Sequence, residues 1–161
     1  MDISVVVPTL KPRDEIEVTE CLERGEFEDY ELLVQDEYPV TRARNEGIRA
    51  ASAEKIVFLD DDSCPRGDYL RRMSNVLDTE KAVAGRTVHP NDDVFAGQLT
   101  SHYDFGDEPR YVDRFWGCNM AVRKEVFDTV GGWDEDMGWG HEEKELADRV
   151  IQQHRIYYHP E

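Results

Sequence analysis

The sequence predicts an α/β domain built on a mostly parallel sheet that is flanked by helices. Strand-length runs of apolar, often β-branched residues occur at Ile3–Val7 and Ile56–Leu59, as expected for strands buried on both faces. Segments with helical periodicity separate such runs, and the alternation continues through the first half of the chain. Alternating strands and helices are typical of parallel sheets, in which each connection crosses back over the sheet.

In the first half of the chain, nearby residues explain where the predicted strands and helices begin, end or pack. Pro8 ends the first strand, Gly25 suits the end of the first helix, and Thr41 can cap the second. Leu70, Met73 and Leu77 share one face of the third helix. The predicted order is strand Ile3–Val7, helix Asp14–Arg24, strand Tyr30–Val34, helix Thr41–Ala51, strand Ile56–Leu59, helix Tyr69–Leu77 and strand Ala82–Val88.

The second half is less regular. Asn91–Arg110 is polar and poorly periodic, which predicts mostly loop with one short helix. After it we predict strand Phe115–Val122, helix Lys124–Val130, helix Glu142–Gln153 and strand Ile156–Tyr158. No repeat or linker interrupts the chain, so we expect a single domain over residues 1–161.

Charge is the most marked property of the composition. Thirty-six acidic residues against 19 basic ones give a net charge of −17. Such a balance argues against binding of nucleic acid or of an anionic membrane. The dispersed acids indicate either an ordinary solvated surface or a protein from a salt-adapted organism. No apolar stretch is long enough to cross a bilayer, so no transmembrane segment is expected.

The cysteine pattern predicts a reducing environment. Cys21, Cys64 and Cys118 are widely spaced and odd in number, which offers neither a disulfide framework nor a metal-binding pair. We therefore expect Cys64 and Cys118 to be packing residues. The expected location is the cytoplasm, with the inner face of the membrane as the alternative.

Three consecutive carboxylates, Asp60, Asp61 and Asp62, follow a strand that the pattern places inside the sheet. Ligands of open α/β sheets gather at the carboxyl ends of strands. Crowded carboxylates there repel one another, and Mg²⁺ or Mn²⁺ would relieve the repulsion. Mg²⁺ is usually held by one or two carboxylates together with substrate phosphates, which indicates a phosphorylated ligand. The alternative is an acidic turn that caps the helix starting near Asp68.

Glu143 is the candidate general base. Leu146, Ala147 and Val150 lie three, four and seven positions after it, so Glu143 shares the apolar stripe of its helix, whereas Glu142 is expected to lean toward solvent. A carboxylate at the edge of an apolar face can be tuned for proton transfer. The alternative is a glutamate that only complements the helix dipole.

Trp133 and Asp134 are candidates for holding a sugar, because an aromatic face packs on a sugar face while carboxylates bind its hydroxyls. A core position is the alternative for Trp133, and Trp116 and Trp139 raise the same question. Arg44 is a candidate for a diphosphate contact, against the alternative of a solvated helix face. His159 is either a further metal ligand or idle.

Taken together, these motifs resemble family 2 glycosyltransferases of the GT-A fold, which has a Rossmann-like sheet and a smaller acceptor-side region. The matching segments, in register over nearly the whole chain, are Ser4–Thr9, Arg44–Ile48, Val57–Asp62, Gly117–Arg123, Gly131–Glu135 and Glu142–Leu146 with Arg149. The resemblance implies a nucleotide-binding half at 1–90 and an acceptor-binding half at 91–161.

The resemblance also implies site roles. Nucleotide-binding residues would be Pro8, Thr9, Asp36, Arg44, Asp60 and Asp61. Asp60 and Asp62 would hold Mn²⁺ or Mg²⁺, and Glu143 would deprotonate the acceptor hydroxyl in an inverting transfer. Trp133, Asp134 and Glu142 would contact the acceptor. The implied donor is a UDP- or GDP-linked sugar, and the implied acceptor is a carbohydrate or lipid-linked hydroxyl.

The sequence departs from the family pattern in several places. Asp36-Glu37-Tyr38-Pro39 replaces the usual Asp-Gly-Ser turn, and the base is Glu rather than Asp. The Gln-x-x-Arg-Trp motif of processive synthases is absent. The chain is short for the fold, and we expect a compact enzyme, a truncated one, or one completed by an oligomer partner.

Two other classes of protein share parts of this pattern. A response-regulator receiver also has an Asp after its third strand, but it needs an acidic pair after the first, where this chain has Pro8-Thr9-Leu10-Lys11. The alternative kept is a non-catalytic nucleotide-sugar or carbohydrate-binding module of the same fold.

Overall fold

A computed structural model describes residues 1–91, 94–138 and 140–160. Its seven strands are β1 Ile3–Pro8, β2 Tyr30–Gln35, β3 Lys55–Leu59, β4 Ala82–Gly85, β5 Arg110–Val112, β6 Asn119–Arg123 and β7 Ile156–His159. The α-helices are α1 Glu17–Glu23, α2 Val40–Ala50, α3 Tyr69–Leu77, α4 Val94–Thr100, α5 Lys124–Val130 and α6 Glu142–Ile151. Two short 3₁₀ turns, Arg13–Glu15 and Ser101–Tyr103, precede α1 and follow α4.

All strands belong to one mixed sheet with the order β2-β1-β3-β6-β4-β7-β5. β1 pairs in parallel with β2 and β3, and β4 pairs in parallel with β7. β6 runs antiparallel between β3 and β4, with Leu59 opposite Asn119. Consequently β1, β2, β3, β4 and β7 all end at one edge, and β6 begins there. The predicted α/β class with a mostly parallel sheet is confirmed.

Side-chain alternation along the strands separates the core into two layers. Val6 and Phe58 face a layer that includes Phe127, Leu146 and Val150 from α5 and α6. Val5 and Val7 face the opposite layer, which is filled mainly by α1 and α3. Gly47 of α2 lies so close to β1 that a Cβ there would be 2.3 Å from Cγ1 of Val6. This glycine therefore allows the helix to approach the sheet directly.

Several predicted boundaries differ from the observed ones. The first predicted helix is a 3₁₀ turn and α1, separated by Ile16 in an extended conformation. Thr41 does not cap α2, since its hydroxyl donates to the carbonyl of Met137 at 3.0 Å. The strand predicted from Phe115 begins only at Asn119, and β5 lies beside the region predicted as loop.

The expectation of no disulfide is wrong. Cys21 of α1 is bonded to Cys64 in the loop after β3, which joins residues 43 positions apart. The spacing of the cysteines could not predict this bond, because the two residues meet only when the fold packs α1 against that loop. The argument from cysteine count for a reducing compartment therefore fails. Cys118 is free, and burial raises the pKa of its thiol to about 12.

Among the helices of the described residues, none has the length and apolar character that crossing a bilayer requires.

Candidate active site

The carboxyl edge of the sheet collects most of the predicted site residues. Pro8 ends β1 and Thr9 follows it, Asp36 follows β2, and Asp60–Asp62 follow β3. Because neighbouring parallel strands end together, these segments are adjacent, as expected for the ligand crevice of an open α/β sheet. Residues 116–118, which lead into β6, join them at the same edge.

The three aspartates have different surroundings. The Asp61 carboxylate accepts hydrogen bonds from the Thr9 hydroxyl and, at 2.7 Å, from the Lys11 ammonium. Its backbone carbonyl also accepts the N–H of Val18 at 3.1 Å. Asp61 thus anchors the loop, whereas Asp62 is exposed. Lys11 was not predicted to take part, and its spacing from the first strand gave no signal for it.

Arg44 is the buried cation of the site. Its side chain is only 4% exposed, and its Nη1 donates to Oε1 of Glu142 at 3.3 Å. Nη2 lies 3.8 Å from Oδ1 of Asp60 and 3.9 Å from Oε1 of Glu143. Gly117 leaves room for the guanidinium, because a Cβ there would lie 2.1 Å from Nη2. One side chain of α2 therefore joins the loop after β3 to the start of α6.

Glu142 is not the solvent-facing residue that the helical pattern predicts. It is buried, and besides Arg44 its carboxylate accepts the Gly140 N–H at 2.7 Å. The i, i+3, i+4 argument fails here because Glu142 is the first residue of α6, beside the left-handed His141, and its side chain leans back toward Arg44. Both carboxylate oxygens therefore bind the protein, and the acceptor contact of Glu142 stays a prediction.

Glu143 retains limited access to solvent, with a side chain that is 18% exposed. Burial raises the pKa of this carboxyl above its ordinary value, and the negative charge of Glu142 adds to the effect, while Arg44 opposes it. The Gly117 backbone amide also favours its charged form. A partly buried carboxylate with a raised pKa suits proton transfer.

The pKa of Asp60 is raised as well. Burial is the main cause, and the charges of Asp62, Asp61 and Glu142 contribute, again against Arg44. One guanidinium thus faces Asp60, Glu142 and Glu143, which leaves an excess of negative charge. A cation would relieve it.

Asp60 and Asp62 fit a divalent cation only in part. The described ranges 1–91, 94–138 and 140–160 hold no group of three or more His, Cys, Asp or Glu side chains arranged for a metal ion. Two carboxylates nevertheless match the usual protein share of a Mg²⁺ site, which is completed by phosphate oxygens and water. His159 is the last residue of β7, opposite Gly85, and it does not form a metal-binding group with these aspartates in the described part of the chain.

Trp133 is buried in the core, which is the alternative that the sequence pattern left open and which disfavours a contact with the acceptor. Its side chain is 3% exposed, and its ring packs edge-to-face on Phe58 at a centroid distance of 5.9 Å. The Arg44 guanidinium stacks on the other side at 4.5 Å. The Asn45 side chain holds the backbone of Trp133, because it accepts the backbone N–H and donates to the backbone carbonyl. The sequence did not suggest this role of Asn45. Asp134 is exposed on the same loop, and Trp139 lies outside the described residues.

Residues 37–131 match the family model described as Glycosyl transferase family 2, which is more than half of the chain. This chain belongs to glycosyl transferase family 2. The matched range contains Arg44 and Asp60–Asp62, while Glu143 lies beyond it.

Two relatives outside this chain carry named activities. This chain is 30% identical over 119 residues to dTDP-rhamnosyl transferase RfbF of Shigella flexneri. The match covers 61% of this chain and 38% of that protein. It is 22% identical over 127 residues to a glucosyl-dolichyl phosphate glucuronosyltransferase of Haloferax volcanii, covering 71% of this chain and 41% of that protein. This family 2 chain thus spans about two fifths of the length of these relatives.

Solved structures agree on the fold. Residues 1–349 of S. aureus TarS superpose with a TM-score of 0.75 at 14% identity, over 99% of this chain and 58% of that one. The same part of TarS has also been solved with UDP-GlcNAc. At this identity the likeness establishes a shared GT-A architecture.

Proposed function

We propose that this family 2 chain transfers a sugar, with inversion, from a nucleoside-diphosphate sugar to an acceptor hydroxyl. The observation that carries the proposal is the placement of Arg44. Its guanidinium lies within 4 Å of both Asp60, at the predicted nucleotide end, and Glu143, the candidate base. Two carboxylates that are far apart in the chain, and for which we propose different tasks, therefore lie against one guanidinium.

In the proposed reaction, Glu143 acts as the general base. Its carboxylate accepts the proton of the acceptor hydroxyl while the hydroxyl oxygen forms a bond to the anomeric carbon. The bond from that carbon to the diphosphate oxygen breaks, and the nucleoside diphosphate leaves with the electron pair. Attack from the side opposite the leaving group inverts the carbon. Arg44 lies 3.9 Å from the Glu143 carboxylate and helps to position it. Burial raises the pKa of the Glu143 carboxyl, which favours uptake of the proton.

Asp60 and Asp62 are the residues that would hold Mn²⁺ or Mg²⁺. Such an ion acts as a Lewis acid that neutralises the charge of the diphosphate leaving group. Asp61, tied to Thr9 and Lys11, fixes the loop on which both ligands lie. Pro8, Thr9 and Asp36 lie at the neighbouring strand ends, where they would border the nucleotide base.

The relatives' names guide the choice of substrates. A dTDP-linked donor is named for the Shigella relative, a dolichyl phosphate for the Haloferax relative, and UDP-GlcNAc for the TarS complex. We therefore propose a pyrimidine- or guanosine-linked donor and a carbohydrate or lipid-linked acceptor.

Calorimetry with UDP, GDP and dTDP, each in Mn²⁺ and in EDTA, tests the proposal. We expect one nucleotide to bind in Mn²⁺ and to bind at least tenfold more weakly in EDTA, with Asp62→Ala abolishing the difference. Release of nucleoside diphosphate from the matching sugar nucleotides then measures turnover. Equal affinity in EDTA would contradict the metal role, and binding without any turnover would favour a non-catalytic nucleotide-sugar module.

A further inference from the structure

An aromatic cluster lies beside the candidate base, formed by His102 and Tyr103 of the 3₁₀ turn after α4 and by Trp116 of the loop before β6. Trp116 meets both rings edge-to-face, at centroid distances of 5.2 Å to His102 and 5.3 Å to Tyr103. Tyr103 and Trp116 are both partly exposed. His102 and Tyr103 are consecutive in the chain, and Trp116 comes from a different loop, so the fold brings the three rings together.

Contacts of the neighbouring residues place the cluster at the active site. Gly117, which follows Trp116, packs against Arg44, and its amide interacts with the Glu143 carboxylate. The carbonyl of Cys118 accepts the Ser63 hydroxyl from the loop after β3 at 3.5 Å. The loop that carries Trp116 therefore runs between the aspartate loop and Glu143.

The charges around Tyr103 agree with these contacts. Burial is the main cause that raises the pKa of its phenol, and Cys118, Asp60, Glu143 and Asp62 add to the effect. The indole N–H of Trp116 has no acceptor among the described residues, which is uncommon for a covered donor.

We propose that Tyr103 and Trp116 form the binding platform for a pyranose ring of the acceptor. Aromatic faces pack on the apolar face of a pyranose, and the surrounding carboxylates can accept its hydroxyl protons. A hydroxyl that gives its proton to Glu143 must lie within hydrogen-bond reach of that carboxylate. The sugar beside this cluster is therefore the acceptor rather than the donor, an assignment that rests on the proposed function.

The platform differs from Trp133 in its exposure. Trp133 stacks on the Arg44 guanidinium inside the core, whereas Trp116 is partly exposed and precedes Gly117, which packs on the same guanidinium. Beside the platform, Thr100, Ser101, Asp104 and Thr87 line an open cavity of about 550 Å³. The hydroxyl and carboxylate groups among its lining residues suit the hydroxyls of a further sugar unit or a polar aglycone.

Saturation-transfer NMR with methyl pyranosides of glucose, galactose, mannose, N-acetylglucosamine and rhamnose tests the platform on the whole chain. We expect at least one pyranoside to receive saturation in the presence of nucleoside diphosphate and Mn²⁺. Trp116→Leu should weaken that binding about tenfold, the scale of one lost aromatic contact, while Trp116→Phe should retain most of it. The matched control is Tyr111→Leu, which removes an exposed aromatic ring from the edge strand β5.

Separate measurements distinguish this inference from the proposed function. Nucleotide affinity by calorimetry should stay within about twofold in Trp116→Leu, which also shows that the variant folds. Pyranoside binding that is absent in the wild type, or equal in Trp116→Leu, would overturn the platform while leaving nucleotide binding intact. If Trp116→Leu weakened UDP-GlcNAc or another sugar nucleotide but not its nucleoside diphosphate, the ring held would be the donor's, and the acceptor assignment would be wrong.

Discussion

Arg44 is a buried cation whose neighbours are Asp60, Glu142 and Glu143. Removing one partner of a buried ion pair costs about 3–5 kcal/mol, because an uncompensated charge remains in a poorly solvated place. Glu142 is the carboxylate that holds Arg44 most closely and is itself the most buried. It is therefore a structural partner of Arg44, and the more exposed Glu143 remains the residue that we propose as the base.

The first prediction concerns Glu143→Gln. The amide keeps the size of the side chain but cannot accept a proton, so nucleotide binding should stay near normal while turnover falls about 10²–10⁴-fold. Calorimetry and steady-state nucleotide release measure the two effects. Asp148→Asn is the matched control, since Asp148 lies on the same helix in an exposed pair with Lys144. A normal rate for Glu143→Gln would remove this residue from the mechanism.

The raised pKa of Glu143 predicts the acid limb of the pH profile. Only the ionised carboxylate can take a proton, so kcat must fall as pH drops through the pKa of Glu143. Because burial and Glu142 raise that pKa, the limb should lie above 4.5, the ordinary value for a glutamate. The profile is measured at saturating donor and Mn²⁺, where it reports the bound complex.

Glu142→Gln offers a check on this cause. The substitution removes one negative neighbour of Glu143, so the acid limb should move to lower pH even if the rate also falls. An acid limb that stays in place in Glu142→Gln would mean that another group controls it.

At the scale of elements, the disulfide ties α1 to the loop that carries Asp60–Asp62. Val18 and Lys11 already bind Asp61, and Glu26 donates its N–H to Gly67 at 2.9 Å. The bond between Cys21 and Cys64 adds a covalent link at the same junction. The candidate metal ligands thus lie on a loop that is held from one side by α1.

Cys64→Ser tests that link. Opening a loop of this length should lower the free energy of unfolding by about 2–4 kcal/mol, as measured by urea denaturation. Nucleotide affinity in Mn²⁺ should also fall, because the aspartate loop becomes less ordered. Cys118→Ser is the control, since this thiol is free. If a reducing agent and Cys64→Ser both left the free energy of unfolding unchanged, the disulfide would not stabilise the fold.

Local patterns predicted the elements well where packing is local. Leu70, Met73 and Leu77 share one helical face, and α3 has the predicted bounds, Tyr69–Leu77. The apolar run at β3 was recognised for the same reason. Sequence periodicity reports which face of a segment is buried, and in these segments burial decides the structure.

The prediction failed where distant residues decide the structure. Arg44 binds Glu142 across 98 positions, and this contact draws Glu142 inward against the expected orientation. Phe115–Cys118 is predicted as the start of a strand but precedes β6, and there Gly117 packs on Arg44. No local pattern encodes such pairings, so several contacts of the motif residues could not be predicted from the sequence, and their roles in the site stay predictions.

At the scale of the whole molecule, charge is out of balance. Even if each of the 19 basic residues were paired, 17 of the 36 carboxylates would have no cation. Exposed ion pairs contribute about 0–1 kcal/mol each and are weakened by salt. The unmatched carboxylates repel one another at low ionic strength, and salt weakens this repulsion as well.

Because the unmatched acids are so numerous, we expect the relief of repulsion to dominate, so that the melting temperature rises from low to molar KCl. Differential scanning calorimetry at pH 7 measures the rise. The control is the same series at pH 5, closer to the isoelectric point of about 4.6, where protonation has already lowered the net charge and the rise should be smaller. A melting temperature at pH 7 that stays flat or falls with KCl would contradict salt adaptation, because it would show that the lost ion pairs outweigh the relieved repulsion.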